Sequence, residues 1–179
     1  VDCIVGQINK VTNLLKCDDK LSNEINDEVL KRSCYFSHEN TPPLVARDVY
    51  EYLAKRINKS DPLENMKQQS ILSAQKHLPF IENKLQSSND KLYTAIKASV
   101  AGNVIDFGAK EQFNLEDEIK NVFDTNFAIN DYTILKNRLP HIKKLMILAD
   151  NSGENVFDKI LLETIKVLYP SIELFYVTR

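Results

Sequence analysis

The sequence predicts an α/β protein in which a run of helices is followed by a β-α-β unit with parallel strands. Two observations predict this fold. Glycine occurs only four times in 179 residues, which is typical of a chain built mainly from helices. Hydrophobic residues also recur at helical spacing through the N-terminal half, whereas two short apolar runs near the end suit buried strands.

The first helices are predicted from hydrophobic periodicity and from start signals. One helix extends from near Ile4 to Leu15, and a second includes Val29. A third helix has a clear beginning, because Thr41 can cap it and Pro42 suits its first position.

Two further helices complete the N-terminal half. The fourth starts with Asp61 as its cap and Glu64 three residues later, which is a capping-box arrangement. Pro79 is expected to kink this helix near its end. The fifth helix opens at Ser88 or Asn89 and leads to the next glycine.

The C-terminal segment has a different hydrophobic period. Residues 145–149 form a continuous apolar run that predicts a strand buried on both faces, and residues 150–153 interrupt it. A helix from Glu154 to Leu168 and a second strand over residues 172–177 complete a β-α-β unit. Because buried parallel sheets have several strands, we expect further strands from a C-terminal portion or from another chain.

Composition argues against several classes of protein. The chain is 43% hydrophobic, and 23 Lys and Arg residues nearly balance 25 Asp and Glu residues, so the formal net charge is −2. This combination argues against intrinsic disorder and against nucleic acid as a partner. Since no stretch approaches the roughly 18 apolar residues of a membrane span, we expect a cytoplasmic protein that does not associate with membranes.

Cysteines, histidines and common short motifs predict no site. Cys3, Cys17 and Cys34 are widely spaced and form no CxxC pair, so buried free thiols are expected. His38 lies in a polar stretch and is expected in an exposed loop. The chain lacks the glycine fingerprint of dinucleotide-binding folds, the P-loop, the HExxH zinc motif and the GxSxG nucleophile elbow.

The strongest candidate site is the segment from Asp150 to Glu154. Asp150 and Asn151 place two oxygen donors at the end of a predicted strand, and such oxygens suit hard divalent cations. The helix that starts at Glu154 points unpaired N–H groups into the same space, where a phosphate would bind, and Gly153 leaves room for it. A metal ion beside an anion site indicates phosphoryl chemistry. The alternative is that Asp150 or Asn151 only caps the helix.

The second candidate site is the polar turn between Gly102 and Gly108. Asn103 could donate its amide to a phosphate oxygen, and Asp106 could accept a hydroxyl group. The turn would then be a substrate loop. The alternative is a helix C-cap followed by an Asx turn.

Together these motifs resemble one family, the metal-dependent damage-control phosphatases once catalogued as domain of unknown function eighty-nine, and within it the short microbial stand-alone branch. The Asp-Asn-x-Gly-Glu motif after a strand is the most specific part and disfavours the helix-cap alternative. The order of the motifs also agrees: Thr41-Pro42-Pro43-Leu44 with Tyr50 and Asp61-Pro62, then Ala101-Gly102-Asn103-Val104-Ile105-Asp106-Phe107-Gly108, then Ile147-Leu148-Ala149-Asp150-Asn151-Ser152-Gly153-Glu154 with Phe157-Asp158.

The resemblance implies a fold and an activity. Residues 1–100 would be a helical subdomain packed on a Rossmann-like α/β/α domain with a mainly parallel sheet. Residues 101–179 would be the start of that metal-binding domain, which is incomplete at the C-terminus. The implied activity is hydrolysis of phosphomonoesters, such as sugar phosphates or damaged phosphometabolites, with one divalent metal ion (Mn²⁺, Co²⁺, Ni²⁺ or Mg²⁺).

The resemblance also implies roles for individual residues. The metal ligands would be Asp150 and Asn151, which with Glu154 would form the catalytic group. The substrate would be bound by Asn103, Asp106 and Gly153.

The sequence departs from the family pattern in two places. Members of the short microbial branch often carry a cysteine pair near the start, and here Gly6 stands where a partner of Cys3 would be. The family's third metal carboxylate lies beyond the second strand of the β-α-β unit, where this sequence ends. We therefore expect a chain ending at Arg179 to bind metal weakly and to turn over slowly or not at all.

Two other functions compete with the phosphatase. The first is a non-catalytic module that binds a phospho-ligand or a protein partner through a degenerate α/β unit. The second is a nucleotide- or flavin-binding relative of the Rossmann fold, which the missing glycine fingerprint disfavours.

Overall fold

The computed structural model of the protein describes residues 2–33, 42–103 and 115–178. These residues are mostly helical, and their sheet consists of two parallel strands. The predicted α/β class is therefore confirmed. The chain divides into two compact units, Val1–Glu64 and Asn65–Arg179. Several residues considered above lie outside the described ranges: Cys34, His38, Thr41 and Asp106.

The first unit contains α1 (Asp2–Leu14), α2 (Asp19–Ser33) and α3 (Pro42–Arg56). Helix α3 begins at Pro42, as predicted. The apolar faces of the three helices meet in a core of buried side chains: Ile8, Val11, Ile25, Val29, Val49 and Leu53. Apolar burial on this scale is the main source of stability for a small helical unit.

The rest of the chain contains the remaining helices and both strands. Their bounds are α4 (Glu64–Lys76), α5 (Leu78–Ser87), α6 (Lys91–Gly102), α7 (Leu115–Asp124), α8 (Tyr132–Arg138), a short 3-10 helix (Leu139–His141), β1 (Lys144–Leu148), α9 (Glu154–Leu168) and β2 (Glu173–Val177).

The fourth predicted helix is in fact two helices. Instead of a kink at Pro79, the structure ends α4 at Lys76 and begins α5 at Leu78. Pro79 then lies in the first turn of α5. Because proline has no N–H group to donate and its fixed φ suits a first turn, a helix break is favoured over a kink here.

Helix α6 is capped by Asp90 rather than by Ser88 or Asn89. The Asp90 carboxylate accepts the backbone N–H of Tyr93 at 3.1 Å. Ser88 has a supporting role, because its Oγ accepts the N–H of Asp90 at 3.1 Å. The cap therefore lies one or two residues later than predicted.

Helices α7 and α8 were not predicted from the sequence. Helix α7 has a clear apolar stripe, in which the buried Ile119 is accompanied by the partly buried Leu115, Val122 and Phe123. Its C-terminal end is completed by Lys97 of α6, whose Nζ donates to the carbonyls of Phe123 at 2.7 Å and Thr125 at 2.8 Å. Since Lys97 is only 7% exposed, these carbonyls replace its hydration.

The β-α-β unit forms as predicted, but the expectation that its first strand is buried on both faces is wrong. Met146 and Leu148 of β1 are 60% and 74% exposed, because alternate residues of a strand point to opposite faces and only the face with Leu145 packs in a core. Strand β1 pairs with β2 in parallel, from Lys144 opposite Glu173 to Leu148 opposite Val177. Helix α9 joins the strands and packs against α6. The contact between these helices contains completely buried small residues and one aromatic ring: Ala95, Ala98, Ala101 and Phe157. Small side chains allow a close approach of the two helix backbones.

Helix α6 belongs to the second compact unit, whereas the sequence analysis places most of it in the helical subdomain. The predicted division at residue 100 stays a prediction. None of the helices in the described ranges is long and apolar enough to cross a membrane.

Candidate functional site

The candidate site lies where β1 ends and α9 begins. The N–H of Ala149 donates to the carbonyl of Val177 at 2.8 Å, so strand pairing continues one residue past β1. Asp150 and Asn151 follow directly, and both are exposed. Two oxygen-bearing side chains therefore lie at the carboxyl edge of a parallel sheet, where ligands bind in open α/β folds.

Gly153 turns the chain from the strand into α9. It is the N-cap residue of α9 and has φ 101° and ψ −44°. Residues with a side chain rarely adopt this conformation, so the turn requires glycine. Because Gly153 occupies the cap position, neither Asp150 nor Asn151 is the N-cap of α9, and the helix-cap alternative is wrong.

Asn151 lies between two carboxylates. Its Nδ2 donates to Asp150 Oδ2 at 3.4 Å and to Glu154 Oε1 at 3.3 Å. Both distances are long for N–H···O hydrogen bonds, so the bonds orient the amide without holding it tightly. Since Nδ2 makes both contacts, Oδ1 is the amide atom suited to bind a cation.

Glu154 is a buried carboxyl group in the first turn of α9, with 6% of its surface exposed. Burial raises the pKa of Glu154, and the negative charges of Asp150 and Asp158 raise it further. Hydrogen bonds from the side chain and backbone of Asn151 act in the opposite direction and only partly offset this rise. Negative charge is therefore concentrated around the start of α9.

Gly102, the first residue of the second predicted motif, lies against Glu154 of the first motif. A methyl group at this position would lie 3.0 Å from Cα and 3.3 Å from Cβ of Glu154. Few side chains make so short a contact, so a larger residue would require the end of α6 to move away from α9. Asn103 follows directly and is exposed. The C-terminal end of α6, where Asn103 lies, is therefore next to Glu154. Asp106 lies outside the described residues.

The sequence analysis assigned no role to three residues that join α6, α9 and β2. Asp158, 6% exposed, accepts hydrogen bonds from Ser99 Oγ and from Tyr176 Oη, the latter at 2.8 Å. Burial and the hydrogen bond to Asp158 raise the pKa of Tyr176 well above its usual value. A signal for Asp158 was present, because a carboxylate interrupts the apolar stripe of α9. Ser99 and Tyr176 gave no such signal.

The donor chemistry of Asp150 and Asn151 fits a hard divalent cation, since it combines a carboxylate with an amide oxygen. The surrounding negative charge also favours a cation over an anion at this point. Within residues 2–33, 42–103 and 115–178, no group of three or more His, Cys, Asp or Glu side chains is placed to hold a metal ion.

The fold and the site define a class of protein: an α/β protein with a carboxylate and an amide side chain at the end of a parallel strand and a helix N-terminus beside them. The chain belongs to the damage-control phosphatase ARMT1-like domain family, which residues 1–179 match throughout. The family resemblance inferred from the motifs is therefore confirmed.

Three archaeal relatives cover most of this chain. An uncharacterized protein from Methanocaldococcus jannaschii is 30% identical over 172 residues, which make up 92% of this chain and 56% of that protein. A damage-control phosphatase from Archaeoglobus fulgidus is 28% identical and covers 92% of this chain and 58% of its own length. Damage-control phosphatase PH1575 from Pyrococcus horikoshii is 26% identical, and the match covers 92% of this chain and 57% of that protein.

A solved structure has the same fold. The crystal structure of the Pyrococcus horikoshii protein, described as a DUF89 family protein, superposes with a TM-score of 0.81 at 23% identity. The match covers 98% of this chain and 61% of that one. This chain spans between 56% and 58% of the length of the curated relatives it matches.

Proposed function

We propose that the protein is a divalent-metal-dependent phosphatase that hydrolyses phosphomonoesters such as sugar phosphates or damaged phosphometabolites. The observation that carries this proposal is the meeting of Asp150, Asn151 and Glu154 at the end of β1, with Gly102 of α6 packed against Glu154. Membership of the damage-control phosphatase family supports the same class of reaction.

Asp150 and Asn151 would hold the cation through a carboxylate oxygen and the amide Oδ1. These donors suit Mn²⁺, Co²⁺, Ni²⁺ or Mg²⁺. When bound, such a cation supplies neutralisation of charge on a phosphate oxygen. We expect a third ligand, also a carboxylate, from outside the described residues.

Other residues would bind and orient the substrate. The first N–H groups of α9 favour an anion, and Gly153 presents no side chain that would block it. Asn103 would donate its side-chain amide to a phosphate oxygen. Glu154 would keep the Asn151 amide oriented through Oε1, while its second oxygen accepts a hydrogen bond from the substrate.

The test is hydrolysis of p-nitrophenyl phosphate and of a panel of sugar phosphates by the full-length protein with Mn²⁺, Co²⁺, Ni²⁺, Mg²⁺ or EDTA. We expect turnover that EDTA abolishes and that Asp150→Ala lowers about 100-fold or more, since the variant loses a ligand of the cation that neutralises charge in the transition state. Asp131→Ala is the matched control, because Asp131 is an exposed aspartate whose side chain caps no helix N–H. It should leave the rate unchanged.

Two results would contradict the proposal. Asp150→Ala could hydrolyse at the wild-type rate, which would remove the role of Asp150 in metal binding. Alternatively, the folded protein could hydrolyse none of the esters with any cation while inorganic phosphate still raises its melting temperature. That second result would favour the non-catalytic phospho-ligand module.

A further inference from the structure

Asp158 lies one turn after Glu154 on α9, so the two carboxyl groups share one face of the helix. Each is only 6% exposed. Burying a carboxylate costs free energy unless hydrogen bonds replace the lost hydration. The apolar stripe of α9 would be better served by a hydrophobic residue at this position, so the carboxylate needs an explanation of its own.

Two hydroxyl groups replace the lost hydration of Asp158. Ser99 Oγ on α6 donates to Oδ1, and Tyr176 Oη on β2 donates to Oδ2 at 2.8 Å. Each carboxylate oxygen thus has a donor from a different element of the fold. Because hydrogen bonds are directional, this arrangement fixes α6 and β2 relative to α9 more narrowly than apolar packing would.

The Asp158 junction is adjacent to the contact that forms the site. On α6, Gly102 comes three residues after Ser99; on α9, Glu154 comes four residues before Asp158. The two pairs are therefore neighbouring contacts along one helix interface. The Gly102 contact tolerates little movement, since a Cβ atom there would lie only 3.0 Å from Cα of Glu154.

We infer that Asp158 is a positioning residue for the candidate site. Its hydrogen bonds to Ser99 and Tyr176 hold the end of α6, with Asn103, against the first turn of α9. The inference rests on the proposed function and adds to it a residue that touches neither metal nor substrate. Residues that orient a metal site through hydrogen bonds change metal affinity by about 10–100-fold when they are removed.

The first test uses the metal-free protein. In amide NMR spectra, Asp158→Ala should shift the resonances of Gly102, Asn103 and Gly153. Glu163→Ala removes a carboxylate that is 66% exposed from the same helix and should leave these resonances in place. Wild-type resonances at all three positions in a folded Asp158→Ala protein would overturn the inference.

The second test is a calorimetric titration with Mg²⁺. We expect Asp158→Ala to weaken binding about 10–100-fold. Asp158→Asn should restore it to within about 5-fold, because the amide can accept from Tyr176 and donate to Ser99. Ile165→Val, a buried substitution elsewhere on α9, should lower the melting temperature without changing the Kd. Equal Kd values for wild type and Asp158→Ala would contradict the positioning role.

Two milder variants keep the test decisive if Asp158→Ala does not fold. Ser99→Ala and Tyr176→Phe each remove one hydrogen bond and should produce smaller changes in the same direction. A wild-type protein that binds no cation would contradict the proposed function instead. In that case the amide resonances of the metal-free variants still decide the role of Asp158.

Discussion

Each end of α6 contacts a carboxylate that accepts a hydrogen bond from a tyrosine hydroxyl. The charges around these two carboxylates differ in sign. At the N-terminal end, Asp90 accepts from Tyr132 Oη and lies 2.7 Å from Lys136 Nζ. At the C-terminal end, Asp158 accepts from Tyr176 Oη, and the neighbouring charges that act on the adjacent Glu154 are negative. Lys136 therefore offsets the negative charge of Asp90, whereas Asp158 lies near another carboxyl group, Glu154.

The pKa values reflect this difference. Burial alone would raise the pKa of Asp90, but hydrogen bonds from Lys136, Tyr132 and the Tyr93 backbone outweigh burial and hold the pKa below its usual value. Burial raises the pKa of Glu154, and its acidic neighbours add to that rise. A compensated carboxylate stabilises a fold, whereas a buried carboxyl group whose pKa is raised by burial and by acidic neighbours is typical of functional sites.

The largest expected effect on stability comes from adding a methyl group at Gly102, the last residue of α6. Gly102→Ala would place a Cβ atom 3.0 Å from the Glu154 backbone, so we expect a loss of about 1–3 kcal/mol in the free energy of unfolding. Gly6→Ala is the matched control, because no atom lies within 4 Å of a Cβ built at Gly6 in α1. It should stabilise the protein by about 0.5–1 kcal/mol. Urea denaturation measures both, and equal effects would contradict the close contact.

A matched pair of tyrosine substitutions compares the two ends directly. Burial and the hydrogen bond to Asp90 raise the pKa of Tyr132 to about 12, and Tyr176 is raised in the same way, so both hydroxyls donate at neutral pH. Tyr132→Phe and Tyr176→Phe should each lower the free energy of unfolding by about 1 kcal/mol. Only Tyr176→Phe should also weaken Mg²⁺ binding. Weaker Mg²⁺ binding in Tyr132→Phe but not in Tyr176→Phe would contradict the assignment of the cation site to the Tyr176 end of α6.

The smallest expected effect is a pH dependence at the structural end. The folded-state pKa of Asp90 lies below the usual value of about 3.9 for an aspartate, so its stabilisation is present above that pH and is lost as pH falls through the folded-state pKa. Asp90→Asn keeps a cap residue but removes the charge. We expect it to lower the free energy of unfolding by about 0.5–1 kcal/mol at neutral pH, because the ion pair is partly exposed.

The difference between wild type and Asp90→Asn should narrow as the pH falls below about 4. Asp131→Asn, an exposed carboxylate, should change the free energy of unfolding at neutral pH by less than about 0.5 kcal/mol. Urea denaturation at a series of pH values measures both variants. A difference that widens in acid would show that Asp90 is not stabilised as a carboxylate.

The sequence predicted the parts of the fold that depend on local patterns. Strand β1, helix α9 and strand β2 were predicted because short apolar runs and a helical stripe occur in order, separated by a polar turn. Asp150, Asn151 and Glu154 were found for the same reason, since they all lie in that turn or just after it. Helix α7 was not predicted, although Leu115, Ile119, Val122 and Phe123 recur at helical spacing and pack in one core.

Contacts between distant segments could not be predicted in the same way. The approach of Gly102 to Glu154 depends on how α6 packs against α9, and periodicity does not fix that packing. Asp158 was noted in the Phe157-Asp158 pair of the family motif but received no role, although a charged residue in an apolar stripe needs a partner. Tyr176 could not, since a tyrosine in a buried strand looks like a core residue until its hydroxyl partner is known.

The cation site at the end of β1 is tested most directly by calorimetric titration of Mn²⁺ into the full-length protein and its Asp150→Ala and Asp90→Ala variants. We expect Asp150→Ala to abolish binding, because it removes a proposed ligand of the cation. Asp90→Ala should lower stability but leave the Kd unchanged. Binding that survives in Asp150→Ala, or that Asp90→Ala weakens equally, would contradict the assignment of the cation site to the end of β1.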